Sequence, residues 1–204
     1  MNLHPVFVHF PIALLTIYAL MELVRFKKIM AQPYWFYLKA VFLMVGGLGA
    51  LAATYTGDMA RSAVRQGDFV PAIANFKQVL STHENFAHLS VAIFGLLAAA
   101  YLFAWINKEI VSLRGGVPPT TTCPTKPWRS RKQSYYVKKI SESSLWRILT
   151  SYSNLLLTGP VSVIFALAGL ICITITGGLG GVMVYGPSAD PFFGIIYHLM
   201  FPGM

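Results

Sequence analysis

Two pairs of histidines are the residues of this sequence most suited to binding a metal or a metal-containing cofactor. The first pair lies in His4-Pro-Val-Phe-Val-His9 and the second in His83-Glu-Asn-Phe-Ala-His88, so both have the same five-residue spacing. Each pair leads directly into a long apolar run. Because an ionisable side chain at the entrance to a bilayer is unfavourable without a partner, we interpret the four histidines as candidates for a functional site.

The five-residue spacing limits how these histidines could share one ligand. Residues five apart on an α-helix are separated by about 7.5 Å along the axis and by roughly 140° around it, which disfavours binding of one ion by both. We therefore predict one ligand from each of two helices, with His9 and His88 binding the iron of a b-type haem from opposite sides. His4 and His83 would lie near these ligands or bind a further cofactor.

Small and basic residues nearby fit the same hypothesis. Glycines in the two other apolar runs would leave room for a flat macrocycle, and we assign this role to Gly46, Gly49, Gly177 and Gly180. Arg61 or Arg65 would pair with the haem propionates. The alternatives are ordinary helix contacts for the glycines and hydrogen-bonded structural roles for the histidines. A copper or zinc site formed by all four paired histidines is a third possibility.

The composition places the elements that carry these residues in a membrane. Hydrophobic residues make up 55% of the 204 positions and charged residues 11%, whereas soluble domains have about 25% charged residues. A helix that crosses the bilayer needs about 20 apolar residues. Four stretches qualify and predict an all-α, four-helix bundle forming a single membrane domain: Pro5–Val24, Trp35–Tyr55, Phe86–Ile106 and Leu155–Tyr185.

The two halves of the chain share an order of features. In each half a helix that begins with a histidine pair is followed by a glycine-rich helix that ends in a tyrosine, Tyr55 or Tyr185. Both halves would start on the same side of the membrane. The pattern therefore favours two parallel repeats, related by an axis along the membrane normal.

Basic residues predict the orientation. Thirteen of the sixteen lysines and arginines fall in or beside the connections between the first and second and between the third and fourth predicted helices. The positive-inside rule puts these connections in the cytoplasm and both termini outside, in the periplasm if the protein lies in a cell inner membrane. The net charge of +9 then reflects topology and anionic lipid, and nucleic acid is not an expected partner.

The connection between the third and fourth predicted helices, residues 107–154, is a long basic loop. Prolines and threonines in 115–126 are typical of a linker. The mixture of aromatic, aliphatic and basic residues in 134–153 predicts an amphipathic helix lying on the inner membrane surface, or docking a partner. Cys123 in this loop and Cys172 in the fourth helix face different environments, so a disulfide between them is not expected.

Signals for other chemistry are missing from the sequence. It contains no glycine-rich phosphate loop, nucleophile elbow, zinc-protease motif or Cys-x-x-Cys. Glu22 and Lys39 are the only charges near the membrane interior, and both lie close to its inner edge, which argues against an ion-coupled transporter. An electron-transfer protein is therefore favoured over a turnover enzyme.

The segment His4-Pro-x-x-Val-His9-Phe-Pro-Ile-Ala-Leu resembles the opening of a widespread family of small four-helix bacterial membrane proteins, catalogued as a domain of unknown function. Thr56-Gly57-Asp58, the histidine at the third helix and Gly-Gly-x-x-Val-Tyr185-Gly186 are similar to its later landmarks. The resemblance covers most of the chain and is most specific in the first helix. Some members are joined to Rieske-type iron–sulfur domains, so the resemblance implies electron transfer near the outer surface. The long basic insertion departs from the compact family pattern.

These observations lead to two hypotheses of different class. The first is a haem-binding electron carrier that exchanges electrons with a redox partner protein or a quinone. The second is a non-redox scaffold or accessory subunit of a larger membrane complex, in which the histidines contact a partner or lipid headgroups.

Overall fold

The computed structural model describes residues 4–24, 26–65, 73–114, 143–157 and 159–203, with side chains over 7–24, 26–62, 73–110, 143–157 and 159–203. The described residues form helices and contain no strand, which confirms the all-α prediction. The helices are α1 His4–Leu23, α2 Lys27–Met30, α3 Pro33–Arg65, α4 Phe76–Arg114, α5 Ser144–Leu157, α6 Pro160–Tyr185 and α7 Pro191–Met200. The predicted linker at 115–126, with Cys123, and residues 134–142 of the predicted amphipathic helix lie outside the described residues.

Three of these helices are long and apolar enough to cross a membrane. They cover Pro33–Ser62, Phe76–Ile110 and Pro160–Tyr185, and α1 contributes a shorter apolar helix over Phe7–Leu23. The 33 residues of α3 and the 39 residues of α4 would extend about 50 and 58 Å, well beyond a hydrocarbon core of about 30 Å. Helical structure therefore continues past the apolar runs that the sequence showed.

The chain divides into two compact units. The first unit comprises Met1–Ala98 and Ser162–Met204, and the second comprises Ala99–Val161. Helix α4 runs through both. In the second unit, α5 packs on the C-terminal half of α4, where the indole N–H of Trp146 donates to Asn107 Oδ1 at 3.1 Å. The Trp146 ring also lies 4.5 Å from that of Phe103.

Close helix packing in the first unit depends on glycines. A Cβ added at Gly46 would lie 2.8 Å from Leu15 Cδ2, and one added at Gly49 would lie 3.2 Å from Pro11 Cβ, so α1 rests directly on α3. A Cβ at Gly169 would lie 2.7 Å from the ring of Phe94. These contacts hold α1 against α3, and α6 against α4, at distances that leave no space for a larger side chain at the three glycines.

Helix α7 was not anticipated from the sequence. The Asp190 carboxylate accepts a hydrogen bond from the N–H of Phe192 at 2.8 Å, and Pro191 occupies the first turn, so a helix start is well specified here. The helix then folds back along α6, with Ile196 beside Gly178 and Phe193 beside Gly181. The pairing of later residues of α7 with earlier residues of α6 shows that the two helices are antiparallel.

A buried polar cluster joins three helices of the first unit. Lys39 Nζ of α3 lies 3.0 Å from Glu22 Oε1 of α1, and the Ser162 hydroxyl of α6 donates to Glu22 Oε2 at 3.2 Å. The Glu22 side chain is only 2% exposed. Because each carboxylate oxygen has a partner, the charge is tolerated in an otherwise apolar setting.

Replacing Glu22 with Ala should be strongly destabilising, because it leaves the charge of Lys39 in the core without its counter-ion. We expect a loss of about 3–5 kcal/mol in the free energy of unfolding, measured in detergent. The double variant Glu22→Leu/Lys39→Met removes both charges and should recover most of that loss. A double variant as unstable as Glu22→Ala would contradict this account.

Candidate functional site

A cavity of about 200 Å³ lies among α1, α3, α4 and α6 of the first unit. It exists because the face that α3 turns towards it carries small residues: Ala50, Ala53, Thr54 and Gly57. These positions follow the spacing of one helical face. The opposite wall on α1 has the same spacing and is apolar, formed by Val8, Pro11, Ile12 and Leu15.

His83 of α4 lines this cavity, and its ring orientation is fixed by the backbone of α6. Its Nδ1 lies 2.8 Å from the carbonyl oxygen of Thr176. A carbonyl oxygen can only accept, so Nδ1 carries the hydrogen, and the lone pair of the neutral ring is on Nε2. A Cβ added at Gly180 would lie 3.4 Å from His83 Cε1, so this glycine makes room for the imidazole. Half-buried and held in one tautomer, His83 is the best-positioned ligand of the three paired histidines whose side chains the structure describes.

His88 and His9 do not come together at this cavity. His88 is also among the lining residues, but it is exposed and is rotated by roughly 140° from His83 on the same helix. His9 is exposed and is not among the lining residues. At about 100° per residue, His9 lies about 110° around α1 from the centre of its cavity-lining face. The side chain of His4 lies outside the described residues.

Charged residues also contribute to the lining of the cavity. Arg61 Nη1 of α3 lies 3.0 Å from Glu84 Oε2 of α4, and Asp58 also contributes to the lining. The two side chains of the pair are 42% and 26% exposed, so the pair is in contact with solvent or headgroups. Arg61 is thus paired within the protein, and the side chain of Arg65 lies outside the described residues.

The glycines assigned to a macrocycle have other neighbours in this structure. Gly46 and Gly49 pack against α1, and the closest neighbour of a Cβ at Gly177 would be Ile12, at 3.8 Å. Gly180 contacts His83. Their described contacts are therefore those of helix packing and ring placement, which was the stated alternative for glycines in membrane helices.

Sequence reasoning missed Glu84 and the Thr176 carbonyl as site groups. A backbone acceptor leaves no trace in the residue types, but the small face of α3 could have been found from the spacing of Ala50, Ala53 and Gly57. Among the described side chains, no three histidine, cysteine, aspartate or glutamate residues cluster closely enough to hold a metal ion. Comparisons of the chain with protein-family models, curated proteins and solved structures find no match.

Replacing Arg61 with Ala should change stability little, in contrast to loss of the buried pair. Because the Arg61–Glu84 pair is substantially exposed, we expect a loss of less than about 1 kcal/mol in the free energy of unfolding. The loss should shrink as salt is raised. A salt-independent loss as large as that of Glu22→Ala would show that this pair is buried in solution.

Proposed function

We propose that the protein takes part in membrane electron transfer by binding the ring of a quinone or quinol in the four-helix cavity. The observation that carries the proposal is the combination of apolar walls with His83, a titratable group whose ring is fixed by the Thr176 carbonyl. The three apolar helices support a bilayer setting, where quinones dissolve.

The size of the cavity favours a single ring over a larger cofactor. Its volume of about 200 Å³ is below the roughly 300–1,000 Å³ of pockets that enclose drug-sized ligands. A quinone headgroup is one substituted six-membered ring, and its isoprenoid tail would remain outside. A whole porphyrin would require the surrounding helices to separate.

The distribution of polar groups matches the two oxygens of such a ring. In an apolar cavity, each of these oxygens needs a hydrogen-bonding partner. Neutral His83 would accept a hydrogen bond from a quinol hydroxyl at Nε2, and the protonated ring would donate to a quinone carbonyl. Asp58 and the Arg61–Glu84 pair also line the cavity, and they are the charged groups that we propose to meet the second oxygen of the ring.

Haem b is the second candidate, and one observation favours it. Metal-ligating histidines usually donate their other ring N–H to a carbonyl or carboxylate, as His83 does to Thr176. The Nε2 atom of His83 thus fits one axial position of a haem iron, whereas the cavity is too small for the macrocycle. Ligation by His9 and His88 remains a prediction that would need α1 to rotate by about 110°.

We further propose that α1 serves as a fourth span, in a bundle of two parallel repeats in the cell inner membrane with both termini outside. The excess of lysine and arginine in the predicted inner connections supports this orientation. The resemblance of the first helix to a family associated with Rieske domains supports a redox role and a redox protein as partner.

The proposal can be tested on protein purified in mild detergent from quinone-containing membranes. We expect a quinone in the organic extract of the wild-type protein. His83→Ala should retain about tenfold less, because one hydrogen bond in an apolar site contributes on the order of 1.4 kcal/mol. His9→Ala is the matched control, since His9 lies outside the cavity, and it should retain the wild-type amount.

A reduced-minus-oxidised absorption spectrum of the same samples separates the alternatives. Haem bands that disappear in His83→Ala would support the second candidate. Low-spin haem bands that are lost in both His9→Ala and His88→Ala would support these two histidines as the axial ligands. Wild-type quinone content in His83→Ala would contradict the assignment of His83. A protein with neither quinone nor haem would favour the non-redox accessory role.

A further inference from the structure

Two lysines in the connection between α1 and α3 make no ion pair with the part of the chain that the structure describes. Lys27 and Lys28 form the first turn of the short helix α2, and both are exposed. The nearest acid in the sequence is Glu22, which is buried and paired with Lys39. Residues 23–57 contain no aspartate or glutamate. The connection therefore presents two positive charges that the protein does not neutralise.

The same connection exposes large apolar side chains beside the lysines. Phe26 is 70% exposed, Met30 is 45% exposed and Tyr34 is 60% exposed. Gln32, a neutral side chain, is exposed as well. Aromatic and aliphatic groups next to lysines are typical of a segment at the boundary of a bilayer, where the apolar groups reach the acyl chains and the ammonium groups reach the headgroups.

The packing of α1 on α3 places this connection at one end of two apolar helices. Helix α1 meets Gly46 with Leu15 and Gly49 with Pro11, so α1 and α3 are antiparallel. The apolar part of α1 ends shortly before α2, and that of α3 begins shortly after it. Since the connection between antiparallel helices lies at the same end of both, α2 lies at one surface of the apolar layer.

The charges at the far end of α3 are of both signs. There Arg61 has Glu84 as its partner and Asp58 one turn earlier in the helix. Lys27 and Lys28 have no acidic side chain of this kind, because the only described carboxylate near them in sequence is paired with Lys39. The α2 end of α1 and α3 is therefore positive, and its charge is complementary to an anion.

From these charges and their apolar neighbours, we propose that the α2 connection binds an anionic phospholipid. Lys27 and Lys28 contact the phosphate of the headgroup, and Phe26, Met30 and Tyr34 contact the glycerol region and the acyl chains. The occupant is a lipid because a free anion would leave these three apolar side chains uncovered. The site is separate from the cavity and does not depend on the ligand proposed there.

The test is a lipid titration of the delipidated full chain in detergent, with native mass spectrometry to resolve each bound lipid by its mass. The probes are phosphatidylglycerol, which carries one negative charge, and phosphatidylcholine, which has no net charge and is used with the same acyl chains. We expect the first phosphatidylglycerol to bind about 25-fold more tightly than the first phosphatidylcholine, since each lysine near a membrane surface contributes about fivefold to the binding of anionic lipid.

Substitutions separate the charges from the apolar contacts. Lys27→Gln and Lys28→Gln should each lower the affinity for phosphatidylglycerol about fivefold, and the double variant should bind the two lipids equally. Phe26→Ala should weaken the binding of both lipids by the same factor. Lys77→Gln is the matched control, because Lys77 is an exposed lysine at the start of α4, and it should keep the wild-type preference.

Three results would overturn the proposal. The first is equal affinity of the wild-type protein for the two lipids. The second is a preference that persists in the double variant, which would place the anionic lipid at other basic residues. The third is a loss in Lys77→Gln as large as that in Lys27→Gln, which would mean that net charge, and not this connection, sets the preference.

Discussion

Helices as apolar as these must satisfy their polar groups inside the protein, since lipid provides no hydrogen bonds. The clearest case is Glu22, whose two carboxylate oxygens meet Lys39 and Ser162 on two other helices. This interaction fixes the rotation of α1 and α3 about their axes, because both side chains must face the same buried point. Rotation in turn decides which residues of α1, several turns away, form the wall of the cavity.

The same constraint operates locally along the apolar helices. Thr54, Thr174 and Thr176 donate their hydroxyls to backbone carbonyls three or four residues earlier, and so place no unsatisfied group in the apolar core. The Thr176 carbonyl then accepts from His83 in addition to its place in the helix. A polar site is thereby built into an apolar helix from a single backbone oxygen and one imidazole, with little exposed polar surface.

The sequence was sufficient to predict helical class and the apolar runs, because these follow from composition and local spacing. Close helix contact at the glycines was only the alternative to the macrocycle role assigned to them. It was not sufficient to decide that His83, and neither His9 nor His88, has its ring held by a backbone carbonyl at the cavity. That choice depends on helix rotation, which is set by distant contacts such as those of Glu22 and of Pro11 with Gly49. Helix α7 could have been predicted, since Asp190-Pro191 is a recognisable helix start. The packing of α5 on α4 could not, because an amphipathic pattern does not identify the helix that it contacts.

The glycine run in α6 contacts three different neighbours, and each contact depends on a different position of the run. Within five consecutive residues, Gly177 is nearest α1, Gly178 and Gly181 receive α7, and Gly180 receives the ring of His83. Helix α1, helix α7 and the His83 ring therefore each contact different glycines. The position of the His83 ring can consequently be altered through residue 180 alone, while the docking of α1 and α7 is preserved.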